Sequence, residues 1–411
     1  MLTADTLFYL ILCIVIISFI IDQILDYINT KRFNDPIPKE LNDVYDNDEY
    51  QKSQNYKAEQ NKLSQLTSWI SFIGLILVLL FDGFAYVDQI AKDLVSHPIL
   101  VALVFFGIIM IVSDIISTPF SYYATFVVEE RYGFNKMTRK TFWVDKIKGL
   151  LLGGIVGGLL LSFIIWFYYK YPDTFWIYAW ILLTVFSIFM NMFYAKLIVP
   201  LFNKQIPLED GSLRDKIETY AKEVGFKLDN IYVIDGSKRS TKANAYFSGF
   251  GSQKRITLYD TLINDLSEEE IVAVLAHEVG HYKHKHIIYN LSLSVITTGI
   301  TLWLLSLLVG NPLLSQALGV DKPGFHIGLI AFGILYTPIS TLTGFLMNAL
   351  SRKFEYQADN YAKNTFNSKH LISSLKQLSK KSLSNLTPHP LYVKVHYSHP
   401  SLLQRVKNLM A

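Results

Sequence analysis

The sequence predicts a mainly α-helical membrane protein, with seven transmembrane helices and a small polar α+β portion. Three observations carry that reading. The 411 residues are 51% hydrophobic and only 18% charged, with a mean hydropathy of +0.28, which is not the balance of a water-soluble enzyme. Seven apolar runs, at about 6–21, 66–87, 98–122, 149–168, 174–198, 287–308 and 325–350, reach or approach the roughly 20 residues needed to cross a bilayer. Threaded as alternating spans, these runs leave 35 of the 38 Lys and Arg on one side.

The first run carries Asp5, has no basic stretch before it (the first Lys is Lys31) and shows no small-residue cleavage site, so it reads as a retained anchor rather than a signal peptide. Residues 22–65 are polar, with Pro36 and Pro38 near the start, and predict a loop and a surface helix leading into the second span. The third run contains Ser113, Asp114, Ser117, Thr118 and Pro119, and the fifth contains Asn191. An ionisable group at membrane depth faces protein or water rather than lipid. Asp114 therefore lines a wet interior or pairs with a neighbouring helix.

Charge sets the orientation. The polar stretches 22–65, 123–148, 199–286 and 351–411 share one side, and only Lys92, Lys170 and Lys322 lie on the other. The N-terminus is expected outside, with both large polar regions and the C-terminus cytosolic. The net charge of +4 is this asymmetry and not a nucleic-acid footprint. Cys13 is the single cysteine, which excludes an internal disulfide and cysteine metal ligands and suits a reducing compartment. The organisation that follows is 1–198, five spans with cytosolic loops; 199–286, a cytosolic segment; 287–350, two more spans; and 351–411, a C-terminal segment.

Within 199–286, residues 212–225 read as a helix and Ile231-Tyr-Val-Ile-Asp235 as a strand. The segments around Ala243–Gly251 and Arg255–Tyr259 read as a β-hairpin about a glycine turn. Next comes Ser267-Glu-Glu-Glu-Ile-Val-Ala-Val-Leu-Ala-His277-Glu278-Val-Gly-His281. Ser267 with Glu270 is a capping box, the acids suit the positive helix end, and Ile271, Val274, Leu275 and Val279 form a helical stripe. Positions i and i+4 share a helix face, so His277 and His281 can reach one small ion, with Glu278 beside them to take a proton from water. That is the zinc-protease arrangement.

No third ligand is local. His284 lies about 10 Å of rise from His277, too far for bonds of about 2 Å. A distant carboxylate is the better candidate, and Ser351-Arg-Lys-Phe-Glu355-Tyr-Gln-Ala-Asp359 offers one: Glu355 and Asp359 are i, i+4 on a second helix, so one can bind metal while the other orients a histidine, with His284 next in line. Both half-sites fall at the cytosolic ends of the sixth and seventh spans, at similar depth. His284, His286, His326, His370, His389 and His396 read as surface or interfacial histidines.

These segments resemble the type I CAAX prenyl endopeptidase family, integral-membrane zinc proteases related to bacterial heat-shock membrane proteases. The resemblance runs through Glu129-Glu-Arg-Tyr-Gly-Phe-Asn-Lys, Pro200-Leu-Phe-Asn-Lys, Asn244-Ala-Tyr-Phe-Ser-Gly, the His277–His281 motif, the Glu355–Asp359 stretch and Tyr397-Ser-His399-Pro-Ser-Leu-Leu-Gln-Arg405. It implies seven helices around a water-filled intramembrane chamber, closed on the cytosolic side by the zinc domain. It implies one zinc held by His277, His281 and Glu355, with Glu278 catalytic and Asp359 behind a ligand. His399 and Arg405 match the family's substrate-side His and Arg, with Arg405 placed beside Asp359 behind the ligands, and Asn244 and Ala245 match the edge segment that holds the substrate backbone.

The expected activity is cleavage near the C-terminus of CAAX-type or other membrane-associated peptides, prenylated or not. His399 is placed to donate to the developing oxyanion, and an extended peptide along 243–247 would be held by main-chain hydrogen bonds. The alternative is a general quality-control protease for membrane proteins with no prenyl requirement. The expected partners are a peptide or protein substrate and the lipid bilayer, with no nucleic acid and a monomeric chain. The expected setting is the bacterial inner membrane or the endoplasmic reticulum membrane.

Overall fold

The computed structural model describes residues 3–228, 231–248 and 255–411. Helix α1 (Ala4–Thr30) begins where the Thr3 hydroxyl accepts the Thr6 N–H. Helix α2 (Asn47–Leu80) is one rod of 34 residues, opened by an Asp46/Glu49 capping box. At 1.5 Å per residue it measures roughly 50 Å. Its polar first half therefore projects beyond the apolar second half as the expected surface helix. The run expected to reach residue 87 stops at Leu80, because Asp82 takes a left-handed conformation (φ 51°) and a separate amphipathic helix α3 (Gly83–Leu94) follows.

Helix α4 (Pro98–Tyr123) contains Pro119 and passes into a π-helical stretch, Ala124–Glu129. Pro119 has no N–H for the carbonyl four residues back, which loosens the ladder just before this wider turn. The stretch delivers Glu129 to Tyr56 and to Lys242, 2.8 Å away. Helices α5 (Arg139–Lys170) and α6 (Phe175–Leu197) follow, then a single turn, α7 (Val199–Phe202). Asp114 pairs with Lys146 of α5 at 2.7 Å, so its partner is a neighbouring helix.

The polar portion contains β1 (Gln205–Pro207), α8 (Ser212–Glu223), β2 (Ile231–Ile234), β3 (Ala245–Ser248), β4 (Arg255–Tyr259), α9 (Asp260–Asp265) and α10 (Glu268–Lys283). The sheet order is β1-β2-β4-β3, with β2 and β4 parallel and the other pairs antiparallel. Strand β3 is thus an edge. The hairpin of β3 and β4 is as expected, and its turn at 249–254 lies outside the described residues.

The chain returns to long helices with α11 (His286–Leu308) and continues through α12 (Pro312–Gln316), α13 (Phe325–Leu335), α14 (Thr337–Thr365), α15 (Ser368–Lys381), α16 (Pro390–His396) and α17 (Leu402–Met410). The expected single seventh span is two helices, α13 and α14, bent by 56° at Tyr336. Pro338 is the reason, since it cannot donate to the carbonyl four residues back. Among the described residues six helices are long and apolar enough to cross a membrane, and seven spans result if this bent pair counts as one.

Packing concentrates at the ends of the bundle. Ile11, Phe105 and Ile327 centre one apolar cluster, and Ile165, Phe175 and Phe325 another, both at the helix ends remote from α10. At the α10 end, Ile217, Ile256, Leu258, Ile271 and Leu371 join the sheet to α8, α10 and α15. Between these layers only 6–17% of each span's apolar window is buried, so the spans are tied at their ends rather than along a common axis. His326, expected as a surface or interfacial histidine, lies buried at a helix–helix interface, with its Nε2 2.7 Å from Asp88 Oδ1. Asp88 is also held by Lys92.

Candidate active site

Helix α10 starts on the Ser267/Glu270 capping box, as its sequence demands. Ile271, Leu275 and Val279 bury one face in the core with β4, which turns His277 and His281 toward α14. Gly280 permits that approach. A Cβ there would meet the Ala358 Cα at 2.9 Å, so the two helices touch backbone to backbone at the level of the site.

Between the helices, His281 Nε2 lies 3.1 Å from His277 Nε2. Glu355 Oε1 lies 3.3 Å from His281 Nε2, and Glu355 Oε2 3.5 Å from His277 Nε2. A tetrahedral ion with bonds of about 2.0–2.1 Å sets its ligand atoms about 3.3 Å apart. The three side chains therefore stand at the separations a small divalent cation requires. Glu355 Oε2 is also buried without a properly aligned hydrogen-bond donor. Unpaired buried carboxylate oxygens are costly, and a cation would satisfy this one. The donor set, two imidazoles and a carboxylate, suits zinc.

Support comes from a second layer. His277 Nδ1 lies 2.9 Å from Asp359 Oδ1, which holds its ring proton on that side and turns the Nε2 lone pair inward. Arg405 of α17 grips both Asp359 oxygens at 2.6 and 2.9 Å. Burial and the Arg405 guanidinium push the His277 imidazolium down, but the Asp359 and Glu355 carboxylates prevail and carry its pKa up to about 9. His399, largely exposed, brings Nδ1 to 3.0 Å from Glu355 Oε2. It also lines a cavity of ≈ 600 Å³ with Asp26, Lys57, Asn61 and Tyr392. Glu278 is half-buried and has no hydrogen bond or ion pair among the described residues, which leaves its carboxylate free.

Asn244 and Ala245 sit at the head of β3. The Asn244 carbonyl accepts from Tyr259 N–H, and its side-chain oxygen accepts from Ala245 N–H. Antiparallel pairing alternates, so the Ala245 carbonyl and the Phe247 main chain face the free edge. Arg405, expected beside Asp359 behind the ligands, is buried there against the Asp359 carboxylate.

His286, expected as a surface or interfacial histidine, is 2% exposed and touches His281, with Nδ1 2.9 Å from Nδ1. The five-residue spacing puts it off the face of a continuous helix. Lys285, in a left-handed conformation (φ 58°), breaks the helix and swings it back. Nothing in the residue pattern marks that break, since Lys is a poor signal for positive φ.

Comparison with known proteins adds the lineage. Residues 26–204 match the family model for the N-terminal region of CAAX prenyl proteases, with five membrane helices, and residues 207–411 match peptidase family M48. The chain is 36% identical to CAAX prenyl protease 1 of Saccharomyces cerevisiae, over 91% of this chain and 88% of that one. It is 33% identical to the human CAAX prenyl protease 1 homolog over 91% and 88%. The crystal structure of S. mikatae Ste24p superposes with a TM-score of 0.94 at 35% identity, covering 98% and 99% of the two chains. With both halves matched and relatives aligned along nine-tenths of its length, this chain belongs to the CAAX prenyl protease group of peptidase family M48 and is an integral, multi-pass membrane metalloendopeptidase.

Proposed function

We propose that this protein is a zinc-dependent endopeptidase that cuts peptide bonds near the C-terminus of prenylated CAAX-type proteins. The observation that carries the reading is the trio His277, His281 and Glu355, at tetrahedral-ligand separations in a chain whose relatives are named CAAX prenyl proteases. When bound, zinc would supply a Lewis acid that polarises the scissile carbonyl and acidifies water. Glu278 accepts the proton of the attacking water and passes it to the leaving amine. His399 donates a ring N–H to the oxygen that gains charge. The β3 edge holds the substrate backbone through Ala245 and Phe247, and Asn244 stiffens the start of that edge.

The low burial along the spans, with packed layers at either end, supports an internal chamber where a lipidated segment can rest. The basic polar stretches support the 199–286 and 351–411 segments lying in the cytosol, where they form one zinc-protease domain. The N-terminus then lies outside.

The test uses the purified full-length chain with a farnesylated CAAX peptide. Mass spectrometry should find the released C-terminal tripeptide, about one zinc per chain, and no product after chelation. Equal cleavage of unrelated membrane proteins, with no preference for the CAAX end, would favour a general quality-control protease instead.

A further inference from the structure

The two candidate zinc histidines are braced differently. Asp359, itself held by Arg405, fixes His277. Among the described residues His281 has no carboxylate on its outer nitrogen. Its Nδ1 instead meets His286 Nδ1 at 2.9 Å, and His286 Nε2 meets Gln357 Oε1 at 2.9 Å. Gln357 lies on α14, two residues past Glu355 and two before Asp359, so the same helix would supply one metal ligand, the carboxylate behind His277 and the amide behind His286.

Neutral imidazole carries one ring proton. If His281 ligates through Nε2, its proton must sit on Nδ1 and be donated to His286 Nδ1. His286 can accept there only if its own proton is on Nε2, and Gln357 Oε1 stands there to receive it. The ligand role of His281 thus fixes the direction of every hydrogen bond out to α14.

The packing agrees with this. The His286 ring stacks on Phe354 at 4.1 Å and 12°, with His284 on its other face at 5.5 Å and 14°. The left-handed Lys285 places it there. Buried rings clamped on both faces keep one orientation, as an orienting group requires.

We infer that His286, with Gln357 behind it, is a positioning residue for the metal centre: it holds His281 in the tautomer and rotation that ligate zinc. The inference rests on the zinc reading of the trio and adds to it a neutral brace, in contrast to the ionic Asp359–Arg405 brace of His277.

Zinc affinity of the full-length, detergent-solubilised protein, measured by competition with a chromophoric chelator, tests this together with the ligand-field spectrum of the cobalt-loaded form. His286→Phe keeps the stack on Phe354 but removes the acceptor. Zinc affinity should fall about 10–100-fold, the usual cost of losing an outer partner, and the cobalt spectrum should change. His286→Gln, which restores an acceptor, should recover most of the affinity. Gln357→Leu should weaken binding less than His286→Phe. The double variant should be no worse than His286→Phe alone, because the two residues act in series.

Wild-type affinity and spectrum in His286→Phe would overturn the inference. So would a His286→Gln protein as weak as His286→Phe, or additive losses in the double variant. If His286→Phe does not fold, Gln357→Leu decides, and unchanged affinity and spectrum there overturn it. Wild-type protein that binds no zinc at all would instead remove the underlying zinc reading.

Discussion

At the residue scale, the site separates metal holding from proton handling, and the two should fail in different ways. Among the described residues Glu278 makes no hydrogen bond or ion pair with the trio or its braces, though its charge reaches Arg405, so Glu278→Ala should keep its metal and lose about 10²–10⁴-fold in kcat, the usual worth of a general base. Glu355→Ala should lose metal and activity together, and full metal occupancy by elemental analysis would misplace the third ligand. Protons compete with the metal at His277. With its pKa near 9 in the metal-free site, the ring is protonated at pH 7, and binding must expel that proton. Metal affinity should therefore rise by about tenfold per pH unit up to about pH 9 from this group alone. The metal-free fold should show the opposite trend. Its contribution from His277 is held below the ordinary value of 6.5 and lost as pH rises through about 9. Affinity that is flat from pH 6 to 8.5 would contradict this assignment. The pairs His277/His281 and Glu355/Asp359 were legible as neighbours because i, i+4 spacing on a helix survives folding unchanged, and the fold brings the two pairs together. His286 was not, because its place depends on one positive φ at Lys285, which no periodicity announces.

At the element scale, the capping boxes, the edge strand and the long polar start of α2 followed from local sequence. The bend at Tyr336 and the stop at Leu80 were missed for a shared reason. A hydropathy run averages over residues such as Pro338 and Asp82, whose effect is on the backbone rather than on composition. The contact between α10 and α14 is the element-level feature on which the site depends most. Gly280→Ala would place a methyl 2.9 Å from the Ala358 Cα and must push the helices apart. Overpacking of this kind costs about 1–3 kcal/mol, and the separation of His277 and His281 from Glu355 would grow with it. Thermal unfolding and zinc titration of Gly280→Ala should both show losses; an unaffected zinc affinity would mean the helix spacing is not what sets the trio. The β3 edge makes a second demand. N-methylation of the substrate amide that faces the Ala245 carbonyl removes one hydrogen bond, worth about 1 kcal/mol. It should raise KM several-fold, whereas a side-chain change at the same substrate position should matter less.

At the scale of the whole molecule, the spans are joined at their ends and exposed between, and the catalytic helix closes one end. Orientation is open to a direct check. With Cys13 replaced by Ala, a single cysteine introduced at Lys170 should react with a membrane-impermeant thiol reagent from outside intact cells, and one introduced at Lys407 should not. The reverse pattern would invert the topology. The same architecture bears on what the lipid does. On the proposed reading a farnesyl chain would rest between the spans, away from the scissile bond, and each CH₂ it buries would be worth about 0.8 kcal/mol. That binding is present equally in the ground state and the transition state, so it lowers KM and leaves kcat alone. Farnesylated and unmodified peptides of one sequence should therefore differ mainly in KM. Asn244→Ala, which loosens the head of the β3 edge where both peptides lie, should weaken cleavage of both. A kcat that collapses without the lipid would show instead that the chamber and the catalytic helix are coupled, with the lipid completing the site rather than merely anchoring the substrate.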